Sequence, residues 1–272
     1  VGARVRKLLQ GTVELEGPNP FNAGWAPERV ALLAQWSDEP RLSRSMRTLV
    51  AQLREADFDV VLVSACEAPG ELEWVGGRPD RVAVLRKPNV GYDFGSWTIG
   101  LERFPEIARA PHVLLANDSL VGPFAPIRPL LEDFLSSPTD TWGATDNTQQ
   151  AHHLQSFFFG FSGGILADPI LQKFWADVRQ EDLKWKIITK YEVGLSRLLW
   201  REGYTRRAMF PNHTVATELD NPAISGWLQL LEAGFPWVKR ELLFNADLEE
   251  EGAAEVPATV MKLFGEDVWE WL

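Results

Sequence analysis

His112-Val113-Leu114-Leu115-Ala116-Asn117-Asp118-Ser119 is the stretch on which the reading of the fold turns. An apolar run without polar alternation passes directly into three small polar residues, the pattern of a short strand covered on both faces. Strands of that kind build parallel sheets, and open α/β sheets bind ligands beyond the carboxyl ends of their strands. Asn117-Asp118-Ser119 therefore stands where chemistry is expected. The same tripeptide is also good turn chemistry, because such side chains bond nearby backbone amides.

Working outward, the neighbouring patterns fit one α/β domain. An apolar strand is expected over 30–34, a helix over 43–55 carrying Met46, Leu49, Val50 and Leu53, and a second strand over 58–63. Together they make a βαβ unit, for which parallel pairing and a right-handed crossover are the rule. A third strand is expected over 81–85, then the loop Pro88-Asn89-Val90-Gly91-Tyr92-Asp93 and a helix over 94–104. Downstream, a helix over 127–135 precedes a strand over 141–145 that ends at Asp146-Asn147. An aromatic run over 155–166 is broken at Gly160 and at Gly163-Gly164, and further helices are expected over 170–178 and 190–202. The segment 1–28 reads as a lead-in, 29–245 as the domain, and 246–272 as a tail packed on it, so that the domain has a helical C-terminal part.

Composition narrows the function. The chain has 272 residues, enough to bury a core without disulfides or a structural metal. Its one cysteine, Cys66, follows an apolar run and reads as a core residue in a reducing, cytoplasmic setting. With 27 Lys plus Arg against 38 Asp plus Glu, the net charge of −11 opposes nucleic acid as a partner. No apolar run reaches the ~20 residues needed to span a bilayer. The chain opens with Val1 rather than Met, and Arg4, Arg6 and Lys7 follow, which suggests a piece of a longer protein and leaves room for peripheral contact with the inner face of the plasma membrane. Gln35-Trp36-Ser37-Asp38 after the first strand carries no glycine fingerprint, which ranks a dinucleotide oxidoreductase low.

Several polar residues have the types and spacing of a ligand-binding site. Gly91 and Gly95 permit close ligand approach, and Asp93 either accepts from a hydroxyl or caps a helix. Asp146 precedes the pair His152-His153; adjacent histidines point apart and make a poor zinc site, whereas His153, Gln155 and Ser156 suit either hydrogen bonds to ligand hydroxyls or a structural cap. Lys239-Arg240 is a basic pair that can neutralise a bound anion, with a solvated helix face as the structural alternative.

Read as a set, the strings Asn89-x-Gly91-Tyr92-Asp93-Phe94-Gly95-x-Trp97, Asn117-Asp118-Ser119-x-x-Gly122-Pro123, Trp142-Gly143-x-Thr145-Asp146-Asn147, His153-Leu154-Gln155-Ser156, Glu192-Val193-Gly194-Leu195-Ser196 and residues 236–243 resemble the rhamnan synthesis protein F family. The resemblance implies a GT-A-like, Rossmann-type α/β fold with a mostly parallel sheet flanked by helices. It further implies a glycosyltransferase, inverting in its chemistry, that moves rhamnose or a related sugar from a donor such as dTDP-rhamnose to a cell-surface polysaccharide or lipid-linked glycan. Other polysaccharide-assembly domains or proteins would be its partners. On that reading Asn89, Gly91, Asp93, Asn117, Asp118, Lys239 and Arg240 hold the donor, and Asp118 with His213 binds a divalent cation, Mg or Mn. One carboxylate stands where many relatives have two, which leaves the cation open. Glu192 and Asp146 compete as the base, and His153, Gln155, Gly163 and Gly164 contact the acceptor. A non-catalytic carbohydrate- or nucleotide-sugar-binding module is the alternative.

Overall fold

The computed structural model describes residues 2–216 and 220–272, leaving aside the side chains of Glu249, Glu250 and Glu251. Its strands are β1 (Glu14–Leu15), β2 (Arg29–Gln35), β3 (Asp59–Ser64), β4 (Val82–Arg86), β5 (His112–Asn117), β6 (Leu120–Val121), β7 (Thr141–Asn147), β8 (His153–Leu154), β9 (Phe158–Ser162), β10 (Arg206–Phe210) and β11 (Val238–Lys239). The main sheet runs β1-β4-β3-β2-β5-β9-β7-β10, with β8 paired to β7. Its centre is parallel: β4, β3, β2 and β5 share one direction. β9 inserts antiparallel between β5 and β7, and β10 lies parallel to β7.

Two-residue periodicity makes this sheet the middle layer of a sandwich. Ala31 and Leu33 of β2, with Leu114 and Ala116 of β5, face a core shared with Met46, Leu49, Leu130 and Phe134. Val30, Leu32, Val113 and Leu115 face the other core, which holds Phe94, Trp97, Trp175 and Tyr191. Helix Arg44–Glu55 starts where Ser43 Oγ accepts the Met46 amide at 3.1 Å, and buries the apolar stripe expected of it. Helix Tyr92–Arg103 begins at Gly91, whose φ of 87° only glycine adopts without strain.

The molecule is thus the mixed α/β architecture expected, a large, mostly parallel sheet flanked by helices. Because β3 lies on one side of β2 and β5 on the other, the strand order reverses between β2 and β5, and a crevice opens at their carboxyl ends.

Several boundaries differ from the sequence reading. The lead-in carries regular structure, a short helix Val5–Leu8 and β1, which adds an antiparallel edge to β4. β7 runs on to Asn147, so Asp146 lies inside a strand. Gly160 does not break β9 but sits in it, where a Cβ would come within 2.3 Å of the Phe134 ring. Glu192 caps helix Val193–Arg201 and ends the π-turn Ile188–Glu192 that joins it to helix Lys184–Ile187. The C-terminal segment packs Val256, Val260, Val268 and Trp271 against Val121, Phe124, Trp227 and Val238. Among the described residues no helix is long and apolar enough to cross a membrane.

Candidate active site

The carboxyl ends of β2 and β5 open onto a cleft of about 580 Å³, well inside the roughly 300–1,000 Å³ of small-molecule sites. Trp36 follows β2, Asn117, Asp118 and Ser119 end β5, and Tyr92, Asp93 and Phe94 start the helix after β4; all line it. Ser156, Phe157, Glu192 and residues of 184–188 and 239–245 complete the walls.

Asn117 ties the strand end together. Its Nδ2 donates to Asp93 Oδ2 at 2.7 Å, while its Oδ1 accepts from the Ser119 amide at 3.1 Å and the Ser119 hydroxyl at 2.6 Å. Asp118 Oδ2 accepts the Trp36 backbone N–H at 2.7 Å and so fastens the end of β5 to the end of β2. The turn chemistry and the cleft position are therefore both present at this tripeptide.

The electrostatics are those of acids held close together. Burial, reinforced by the charge of Asp118, pushes the Asp93 carboxyl up to about 7, against the pull of Asn117 and Lys87. Burial also raises Asp118, opposed by the Trp36 amide and Arg240. Lys87, deep behind the loop, is brought down to about 8 by burial, with Asp93 and Glu67 acting the other way. Its Nζ donates to the carbonyls of Val90 at 2.9 Å and Pro88 at 3.2 Å, which pins the loop carrying Gly91 and Asp93.

Glu192 is a different acid. The π-turn shifts the helix register locally and brings its carboxylate to the cleft, where Ser156 Oγ donates to Oε2 at 2.7 Å and His153 Nε2 lies 3.2 Å from Oε1. Burial disfavours its charge, but the bonds from His153 and Ser156 and the charge of Lys239 hold it below the ordinary carboxylate value. His153 Nδ1 faces the Ala151 carbonyl at 2.7 Å. Both ring nitrogens thus meet acceptors, and although burial opposes the imidazolium, Glu192 keeps its pKa above the usual value. Burial lowers Lys239, against the pull of Glu192 and Glu241, and its Nζ lies 5.6 Å from the Phe157 ring centroid. Arg240 Nε is buried without a hydrogen-bond partner among the described residues.

Of the residues picked out in the sequence, Asp93, Asn117, Asp118, Ser119, Ser156, Glu192, Lys239 and Arg240 come together here. Asn89, Gly91, Asp146, His153, Gln155, Gly163, Gly164 and His213 do not line the cleft. Asn89 is exposed, with its amide on Glu67, and Gly91 serves the turn, packed on Val5. Asp146 has both oxygens engaged, one by the Asn212 amide at 2.6 Å and one by His152 at 2.6 Å, away from the cleft lining. His153 lies behind Glu192, and Gln155 is buried between Thr145 and Asn221, so neither is free for a sugar. Gly163 bonds the Pro111 carbonyl and Gly164 abuts Arg109, at the start of β5 and the opposite end from Asp118. His213 is exposed on the short helix Asn212–Val215, which packs on the Asp146 side, so it joins no cation site with Asp118. Trp36, Tyr92, Lys184 and Phe244 escaped the sequence reading. Trp36 had one signal, a large aromatic directly after a fully buried strand.

The model of the rhamnan synthesis protein F family matches residues 80–267, more than half the chain. This chain belongs to that family. The matched span holds every charged residue lining the cleft. Among curated relatives, the virulence protein VirA of Vibrio anguillarum is 30% identical over 193 residues, covering 58% of this chain and 61% of VirA. An uncharacterized protein of Sinorhizobium fredii, y4gN, is 23% identical over 143 residues, 51% of this chain and 37% of that protein. The chain thus matches about three-fifths of the first relative's length and just over a third of the second's. Among solved structures, a glycosyltransferase involved in glycosylation of the major capsid of PBCV-1 aligns with 83% of this chain and 99% of its own, at 13% identity and a TM-score of 0.41.

Proposed function

We propose that this chain is a glycosyltransferase of bacterial surface polysaccharide synthesis, taking a sugar from a nucleoside diphosphate donor. The observation that carries the reading is the coincidence of the family match with the cleft: the matched residues supply both its strand-end acids and its basic pair. The donor's diphosphate would sit between Asp118 and the Lys239-Arg240 pair, and the exposed indole of Trp36 offers its base a face. Rhamnose is the sugar the family's description favours, with a polysaccharide or lipid-linked glycan as acceptor.

In the transfer, the acceptor hydroxyl oxygen forms a bond to the anomeric carbon while the bond from that carbon to the phosphate oxygen breaks. The electron pair leaves with the nucleoside diphosphate, and the hydroxyl proton passes to a base. A useful base has a pKa near the working pH. Asp93, held at about 7, matches that need better than Glu192, which is kept ionised by His153. Glu192 then orients the acceptor through its fixed negative charge.

A divalent cation fits Asp118, since Mg²⁺ binds through one or two carboxylates plus substrate phosphates and the charge of Asp118 already favours a protonated Asp93 beside it. Bound there, it would neutralise charge on the leaving diphosphate. No larger cluster of metal-ligating side chains occurs among the described residues, and His213 is not part of this set.

The test is a transfer assay with a panel of nucleotide sugars on wild type, Asp118→Ala, Asp93→Asn and Glu192→Gln. The proposal expects transfer by wild type and losses of roughly a hundredfold or more for Asp93→Asn. Binding of donor with no transfer to any acceptor would instead favour a carbohydrate-binding module.

A further inference from the structure

We propose that Phe244 and Trp269 form an aromatic subsite at the mouth of the cleft that holds the glycan acceptor beyond the sugar unit receiving the transfer; this rests on the glycosyltransferase reading. Phe244 lines the cleft yet is 62% exposed, and Trp269, 49% exposed, meets it edge to face with ring centroids 6.1 Å apart. Large apolar side chains kept in water beside a cleft mark binding surfaces.

The exposure of Trp269 is built into the structure. Asp267 Oδ1 accepts its amide at 3.0 Å, and its neighbours Val268 and Trp271 are both buried. Trp271 is fixed from three directions: its carbonyl accepts from Ser45 Oγ at 2.6 Å, its Nε1 donates to Glu266 at 3.2 Å, and the Arg44 guanidinium lies 4.1 Å from its ring centroid. A segment so anchored holds the indole outward in a fixed place. Phe244 is held likewise, in the turn Glu241–Phe244 whose Leu242 is buried and whose Glu241 reaches Lys184 at 3.7 Å.

The surrounding chemistry selects the occupant. Sugar rings pack their C–H faces on aromatic rings and need hydrogen-bonding groups at the edges, which Glu241 and Asn245 supply beside Phe244. Glu241, Glu266, Asp267 and Glu270 outnumber the Lys184 and Arg44 that pair with them, and this excess of negative charge disfavours the anionic lipid surface an exposed aromatic pair would otherwise suit. Continuity with the cleft through Phe244 makes the occupant an extension of the acceptor, so the protein should prefer an oligosaccharide to a single sugar.

Calorimetric titration of the whole chain with L-rhamnose, with an L-rhamnose tetrasaccharide and, separately, with dTDP-rhamnose tests this. Tighter binding of the tetrasaccharide than of the monosaccharide is expected, with a loss of about fivefold or more in Phe244→Ala and in Trp269→Ala. Binding of dTDP-rhamnose should be unchanged in Trp269→Ala, and Trp269→Phe should retain most of the tetrasaccharide affinity. Tetrasaccharide affinity unaltered in the alanine variants, no tetrasaccharide binding by wild type, or variant-sensitive binding to vesicles of phosphatidylethanolamine and phosphatidylglycerol would each overturn the proposal. Failure to bind dTDP-rhamnose with intact tetrasaccharide binding would instead strike only the donor reading.

Discussion

Asn117 holds Asp93 with one end of its amide and Ser119 with the other, so it sets the geometry of the two acids without contributing a charge. Replacing it with Ala should free Asp93 and weaken donor binding by roughly tenfold, measured by calorimetry. Asp93 itself gives a pH prediction. Its folded pKa of about 7 exceeds the ordinary 3.8, so the stability tied to its protonated form is present below the ordinary value and lost as pH rises through neutrality. Asp93→Asn, which stays neutral, should therefore melt higher than wild type at about pH 8.5 and show no such gain near about pH 4. His153 and Glu192 form a largely buried pair, and removing one partner of such a pair costs about 3 kcal/mol, so His153→Ala should lower stability by that order in urea titration. Since the raised pKa of His153 makes its contribution fade as pH climbs through that value, the deficit should shrink in alkali. At this scale the sequence showed which residue types could act but not which were already engaged. Asp146 and Glu192 are both acids near a strand or helix end, and only coordinates reveal that Asp146 has given both oxygens to Asn212 and His152.

At the scale of elements, apolar periodicity was legible wherever burial was continuous. β2, β3 and β5 are buried along nearly their whole length, and each lies within a residue or two of its expected span. What periodicity missed were breaks in regularity. A π-turn has no composition signal, yet the one at Ile188–Glu192 decides where Glu192 points. Gly160 looked like punctuation but makes room for Phe134 in mid-strand. Its replacement by Ala should therefore destabilise by about 1–3 kcal/mol through overpacking, read as a drop in melting temperature. Gly91→Ala combines a φ of 87° with a Cβ 2.6 Å from Val5 Cγ2 and should perturb the loop that carries Asp93.

At the scale of the molecule, the reversal of strand order between β2 and β5 puts residues far apart in sequence around one cleft. The Trp36 backbone N–H donates to the Asp118 carboxylate across 82 positions, a pairing no local pattern can encode. The C-terminal segment completes the same assembly, because Ser45, Arg44 and the core around Trp227 all hold it. Ending the chain after Asn245 would expose Val121, Phe124 and Trp227, and should give a product that aggregates or is cleaved quickly in limited proteolysis.

The most direct measurement is a crystal structure with a nucleoside diphosphate sugar bound. The account predicts the pyrophosphate at the carboxyl end of β5, within hydrogen-bonding or cation-bridged reach of Asp118 and against Arg240. A pyrophosphate seated anywhere else on the protein, with the crevice between β2 and β5 left open, would contradict it.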